Sequence, residues 1–115
     1  MNLECSQSKD GVVVKLSGEM DAQGCAHVRP DLEQITHSDA NTDVVLDLSL
    51  VSFLDSSGVG VIVFLYKRLK AQGRNLEICG VQGQPQELMD LLRIDKVIYV
   101  NRVSSSDTTM KCDYA

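Results

Sequence analysis

The stretch from Asp43 to Val81 sets the tightest limit on how this chain folds. Asp43-Val44-Val45-Leu46-Asp47-Leu48 is a short β-branched run suited to a central strand covered on both faces. After the turn Asp55-Ser56-Ser57-Gly58, the apolar residues Val59, Ile62, Val63, Tyr66 and Leu69 recur at helical spacing. Gly73 supplies a C-terminal stop, and Asn75 to Val81 reads as another strand. Two strands joined by a helix of that length require a right-handed parallel crossover.

The flanking segments extend this unit. A weakly alternating stretch at 2–8, a turn near Lys9 to Gly11 and a β-branched run from Val12 to Ser17 predict an N-terminal hairpin. Gly18-Glu19-Met20-Asp21 breaks the pattern. Asp21 then reads as the N-cap of a helix through Cys25, Val28, Leu32 and Ile35, with Pro30 predicting a kink or a late start. Pro85 opens a short helix with Leu88, Leu91 and Leu92 on one side, and Lys96 to Val100 reads as a last strand. Ser104-Ser105-Ser106-Asp107 reads as an N-cap cluster before a short terminal segment. The predicted order is β-β-α-β-α-β-α-β, with a further helix after it left open. It describes one α/β domain over residues 1–115, a mixed sheet of about five strands with helices packed on it.

Composition excludes several functions. A net charge of −5 argues against a nucleic-acid backbone or an anionic membrane as the partner. The longest apolar run, VGVIVFLY, is too short to span a bilayer, and MNLECSQSKD lacks the basic and apolar regions of a signal peptide, so a cytoplasmic location is expected. Cys5, Cys25, Cys79 and Cys112 are scattered and read as reduced thiols. With His27 and His37 added they still offer no zinc spacing, so no metal is expected. LDSSG is not the G-x-S-x-G elbow of a serine hydrolase, and neither histidine has the neighbourhood of a catalytic base. No phosphate-cradling G-x-x-x-x-G-K-[ST] or G-x-G-x-x-G loop occurs, so neither a cofactor nor an enzymatic activity is expected.

The chemistry concentrates where the central strand hands over to its helix. Such a junction places functional groups beside orphan backbone N–H groups. From spacing alone, Ser56 reads as the N-cap of the helix and Ser57 as its first residue. Gly58 and Gly60 lack side chains that would hold a partner surface away. Val59 and Phe64 are the apolar residues there that a partner could reach. Lys67, Arg68, Lys70 and Arg74 collect near the helix end, where they complement its dipole.

The stretch VVLDLSLVSFLDSSGVGVIVFLYKRLKAQGRNLEICGV resembles the central block of the STAS domain, as found in bacterial anti-sigma factor antagonists. SGEMD at 17–21 resembles that family's G-E-hydrophobic-D turn, and QELMDLLRIDKVIYV its later block, so nearly the whole chain is covered. The resemblance implies a partner-switching module. In such modules the serine after the motif's aspartate, here Ser56, is phosphorylated by a histidine-kinase-like serine kinase that is often the anti-sigma factor. A PP2C-type phosphatase removes the phosphate. The dephosphorylated form binds the kinase or anti-sigma factor and the phosphorylated form is released. Ser57 is the rival phosphorylation site. Asp21 matches the family's acidic turn residue, and Asp21, Asp55, Ser56, Ser57, Gly58, Val59 and Gly60 are the expected partner-binding residues. Similar proteins also serve outputs such as biofilm and polysaccharide control, and some bind nucleotides, so the resemblance leaves a weak nucleotide-binding module as an alternative.

Overall fold

The computed structural model describes residues 1–8, 11–37 and 42–101. Strands β1 (Asn2–Ser8) and β2 (Gly11–Met20) form the antiparallel hairpin. β3 (Asp43–Leu54), β4 (Leu76–Cys79) and β5 (Tyr99–Asn101) add in parallel, giving a five-stranded mixed sheet in the order β1-β2-β3-β4-β5. Helices α1 (Ala22–His37), α2 (Ser56–Ala71) and α3 (Gly83–Leu91) alternate with the strands, and a 3₁₀ turn spans Ile94–Lys96. The predicted element order holds. The Ser104–Asp107 cluster lies outside the described residues.

The core is aliphatic, as a chain without Trp requires. Val14, Leu16 and Met20 of β2, Leu46, Leu48 and Leu54 of β3 and Ile78 of β4 are at most 1% exposed. Leu32 of α1 and Leu65 and Leu69 of α2 close over them, each also at most 1% exposed.

Several boundaries differ from the sequence reading. β2 does not break at Gly18 but runs to Met20. Gly18 takes a positive φ of 112° beside a register shift, and the strand then resumes, pairing Glu19 with Phe53 and Met20 with Leu54. β3 is longer than 43–48 for the same reason. Pro30 neither delays nor divides α1. It is exposed, as is Ala26, whose carbonyl loses its N–H partner on the side where water can replace it. The buried face of α2 is Gly58, Val61, Ile62, Leu65 and Leu69, while Val59, Val63 and Tyr66 are only partly buried. This helix is apolar nearly all round, so periodicity alone does not fix its inner face. In α3 the buried residues are Pro85 and Met89, and Leu91 and Leu92 are exposed. The chain reverses there through Arg93, held left-handed at φ 57°. The predicted last strand is split between the 3₁₀ turn and β5. Among the described residues Cys5 is an exposed free thiol and Cys25 a buried one, as expected of scattered cysteines.

Arg74 departs furthest from expectation. It is 2% exposed and takes no part in a surface basic cluster. α2 ends in a Schellman turn: Gly73, at φ 74°, donates its N–H to Lys70 O at 3.0 Å, and Arg74 donates its own to Leu69 O at 2.8 Å. That turn drives the Arg74 side chain inward. Its Nε donates to Thr42 O at 2.6 Å, and its Nη1 to Ile35 O at 3.2 Å and to Gln72 Oε1 at 3.0 Å. One guanidinium thus ties the end of α1, the approach to β3 and the end of α2. Arg74→Ala leaves those buried acceptors unpaired and is expected to cost about 2–4 kcal/mol in urea unfolding. Arg74→Lys, which lacks the planar fork, should recover less than half of that loss.

Candidate functional site

The site begins with strand register. β2 and β3 run parallel and end level, Met20 opposite Leu54. The next residue on each strand is an aspartate that caps a helix. Asp21 Oδ1 accepts the N–H of Gly24 at 2.8 Å, and Asp21 O accepts that of Cys25 at 2.9 Å. Asp55 Oδ1 accepts the N–H groups of Ser57 at 2.9 Å and Gly58 at 3.2 Å, and Asp55 O accepts that of Val59 at 3.0 Å. The Asp55 N–H reaches back to Met20 O at 3.4 Å. Two capped helix N-termini therefore stand side by side at the carboxyl ends of parallel strands, the usual position of binding sites in α/β sheets.

This geometry corrects the expected cap. Ser56 is not the N-cap of α2; Asp55 is, and Ser56 is the first helical residue. A carboxylate satisfies two orphan donors and is favoured by the positive end of the helix, so it takes the capping position. Ser56 is exposed, and its hydroxyl makes no hydrogen bond among the described residues. Ser57 is half-buried.

The glycines divide. Gly58 is buried, and a Cβ there would lie 2.3 Å from Leu54 Cδ1 and 2.8 Å from Met20 O. Its missing side chain lets α2 sit on β2 and β3 and leaves nothing open to a partner. Gly60 is exposed, and a Cβ there would meet nothing within 4 Å. Val59 is half-buried against the core.

Asp21 and Asp55 act on the same neighbour. Burial pushes the Cys25 thiol up from its ordinary pKa, and the charges of Asp55 and then Asp21 push it further. Cys25 is therefore held as a neutral thiol between the two caps. Along the helices, Ala22, Ala26 and Arg29 of α1 face Ser56, Gly60 and Phe64 of α2 across a groove of about 430 Å³. At its far end the Phe64 ring lies between two guanidiniums, with Arg29 at 4.8 Å and Arg68 at 5.1 Å from its centroid.

Sequence reasoning missed one positioning residue. β4 pairs with β3 only as far as Asp47 opposite Cys79, so the last turn of β3 lacks a strand on that side. Gln84, at the start of α3, replaces it. Its Oε1 accepts the Leu54 N–H at 2.8 Å and its Nε2 donates to Leu54 O at 2.7 Å. The residue before the Asp55 cap is thereby fixed. A glutamine in a polar loop carries no signal that could have marked it.

Residues 2–109 match the family described as STAS domain. The chain is 30% identical over 107 residues to an anti-sigma F factor antagonist of Paenibacillus polymyxa, covering 91% of this chain and 92% of that relative. It is 31% identical over 104 residues to an anti-sigma-B factor antagonist of Staphylococcus epidermidis, covering 88% and 93%. Among solved structures it is similar to the anti-sigma factor antagonist SpoIIAA in its unphosphorylated form, with a TM-score of 0.70 at 18% identity over 92% of this chain and 93% of that one. The phosphorylated form of SpoIIAA, from Bacillus, gives 0.69 at 18% identity over 92% and 95%. Among the described residues no helix is long and apolar enough to cross a membrane.

Three substitutions test this arrangement. Gln84→Met should cost about 1–2 kcal/mol and speed hydrogen exchange at the Leu54 amide more than at the amides of β1. Gly58→Ala should cost about 1–3 kcal/mol by overpacking, whereas Gly60→Ala should stabilise by up to about 1 kcal/mol. Equal effects at the two glycines would contradict the inward placement of Gly58.

Proposed function

The chain belongs to the STAS domain family, and we propose that it is an anti-sigma factor antagonist switched by phosphorylation of Ser56. The observation that carries this reading is the division of labour at the α2 terminus. Asp55 takes the capping bonds and fixes the backbone, while the Ser56 hydroxyl stays exposed and uncommitted. A kinase needs a hydroxyl that is both presented and held. The relatives named anti-sigma factor antagonists and the phosphorylated form of SpoIIAA support the assignment.

In this mechanism the Ser56 oxygen takes the γ-phosphoryl group of ATP bound to a histidine-kinase-like serine kinase, its proton is lost and ADP departs. Water attacks the phosphoserine in a PP2C-type phosphatase, returning the hydroxyl and inorganic phosphate. The protein is substrate and binder rather than catalyst. Its unphosphorylated surface, built from Asp21, Asp55, Ser56, Ser57, Val59 and Gly60, occupies the kinase or anti-sigma factor. Gly58 supports that surface from below.

Magnitudes favour a switch that acts on the complex and leaves the fold intact. Phosphate adds about −1.5 to −2 charge at pH 7. The helix dipole favours it there by roughly 0.3–1 kcal/mol, and Asp21 and Asp55 oppose it. In a packed interface without a matching cation the same charge costs several kcal/mol. A 100-fold loss of affinity needs only about 2.7 kcal/mol.

Tandem mass spectrometry of the protein from its native cells should find phosphate on Ser56. Ser56→Ala should unfold within about 0.5 kcal/mol of wild type, because the hydroxyl holds nothing, and should stay bound to its partner under conditions that release wild type. Phosphate on Ser57 would move the site. Absence of phosphate from both serines, with a partner still bound, would overturn the switch.

A further inference from the structure

We infer that a phosphate on Ser56 is held by Arg29, which leaves the Phe64 ring to do so; this rests on Ser56 being the phosphorylated residue. Ser56 and Arg29 line one groove. Because Met20 and Leu54 are in register, α1 and α2 start level. Arg29 lies seven residues beyond Ala22, about 10 Å along α1. In the unmodified protein Arg29 reaches away from the mouth, to Glu33 and over Phe64, so holding the phosphate requires it to swing back along the groove toward the start of α1, the direction in which helical side chains lean. A long guanidinium side chain and a phosphate projecting from Ser56 together cover that interval. Lys67, Arg68 and Lys70 begin eleven residues beyond Ser56, about 16 Å along α2. His27 lines a separate hollow with Glu19 and Asp21.

Little holds Arg29 where it is. Its ion pair with Glu33 is 3.5 Å long, with side chains 51% and 43% exposed, and such pairs are weak. It shares one ring with Arg68, a second positive charge. Departure of Arg29 relieves that repulsion and leaves Arg68 on Phe64. At the mouth, the charged groups facing a phosphate are the carboxylates of Asp21 and Asp55, with Cys25 a neutral thiol between them. A dianion added there has Arg29 as its nearest cation along the groove, and a bidentate guanidinium–phosphate pair is among the stronger charge-assisted contacts. The pair would also fill the groove between Ala22, Ala26 and Gly60. Phosphorylation would then block that surface sterically as well as by charge.

The test uses the full chain with phosphoserine genetically encoded at position 56, so it does not depend on a kinase. ³¹P NMR titration reads the second ionisation of the phosphate. Arg29→Gln should raise that pKa by about half a unit or more, equivalent to roughly 0.7 kcal/mol. Arg68→Gln should leave it unchanged, and Arg29→Lys should restore only part of the shift. The Phe64 ring protons should move on phosphorylation in wild type but not in Arg29→Gln. Identical titrations for wild type and Arg29→Gln, or equal shifts for Arg29→Gln and Arg68→Gln, would overturn the inference. These results are separable from the switch itself: finding no phosphate on Ser56 in cells would overturn the switch without altering the titration.

Discussion

The in-register pairing of β2 with β3 is the constraint on which the site depends. Parallel strands that end level at Met20 and Leu54 deliver two aspartates to adjacent helix starts. A slip of one residue would invert every side chain on the strand and send Leu54 and its neighbours to the wrong face. The register is held from both sides. Aliphatic residues of both strands are buried beneath α1 and α2, and Gln84 pairs the last residue of β3 where β4 has already ended. Gly58 completes the arrangement, because any side chain there would lift α2 off Leu54 and Met20.

The two kinds of polar residue at the α2 start have different work. The Asp55 carboxylate accepts the Ser57 and Gly58 N–H groups, so the cap does not depend on the hydroxyl of its neighbour. Had Ser56 capped the helix, phosphorylation would have removed a structural hydrogen bond and coupled modification to fraying of α2. With Asp55 as cap, a phosphate on Ser56 would project from a helix whose first turn is already satisfied. A small domain can then carry either state without refolding.

Element order, hairpin, crossover and the position of the strand-to-helix junction were legible in the sequence. Each is encoded by a local pattern: β-branched runs, a Lys9 to Gly11 turn, a helix long enough for a crossover and Gly73 as its stop. The residues that escaped are those whose role lies across the fold. Arg74 reads as one more cation at a helix end, yet the Schellman turn points it at carbonyls 32 and 39 residues away in the chain. Gln84 meets Leu54 30 residues away. In α2 the failure has another cause, since valines and leucines on most sides give a helix without a unique inner face. The capping error at Ser56 was local. Asp and Ser are both good caps, and only the backbone hydrogen bonds distinguish Asp55-Ser56 from Ser56-Ser57.

In the proposed switch, the electrostatics of the site give one phosphate enough leverage. Each helix N-terminus contributes roughly half a positive charge, and Asp21 and Asp55 contribute two negative charges, so the unmodified ridge carries about −1. Phosphate on Ser56 would add a further charge of about −1.5 to −2, of which a paired Arg29 would offset about one charge. A partner surface matched to the unmodified ridge would therefore meet added negative charge with no change of shape in the backbone. Long-range screening softens this in open solvent, but not in a closed interface from which water and salt are excluded. In the proposed switch the penalty would consequently fall on the complex and spare the free protein.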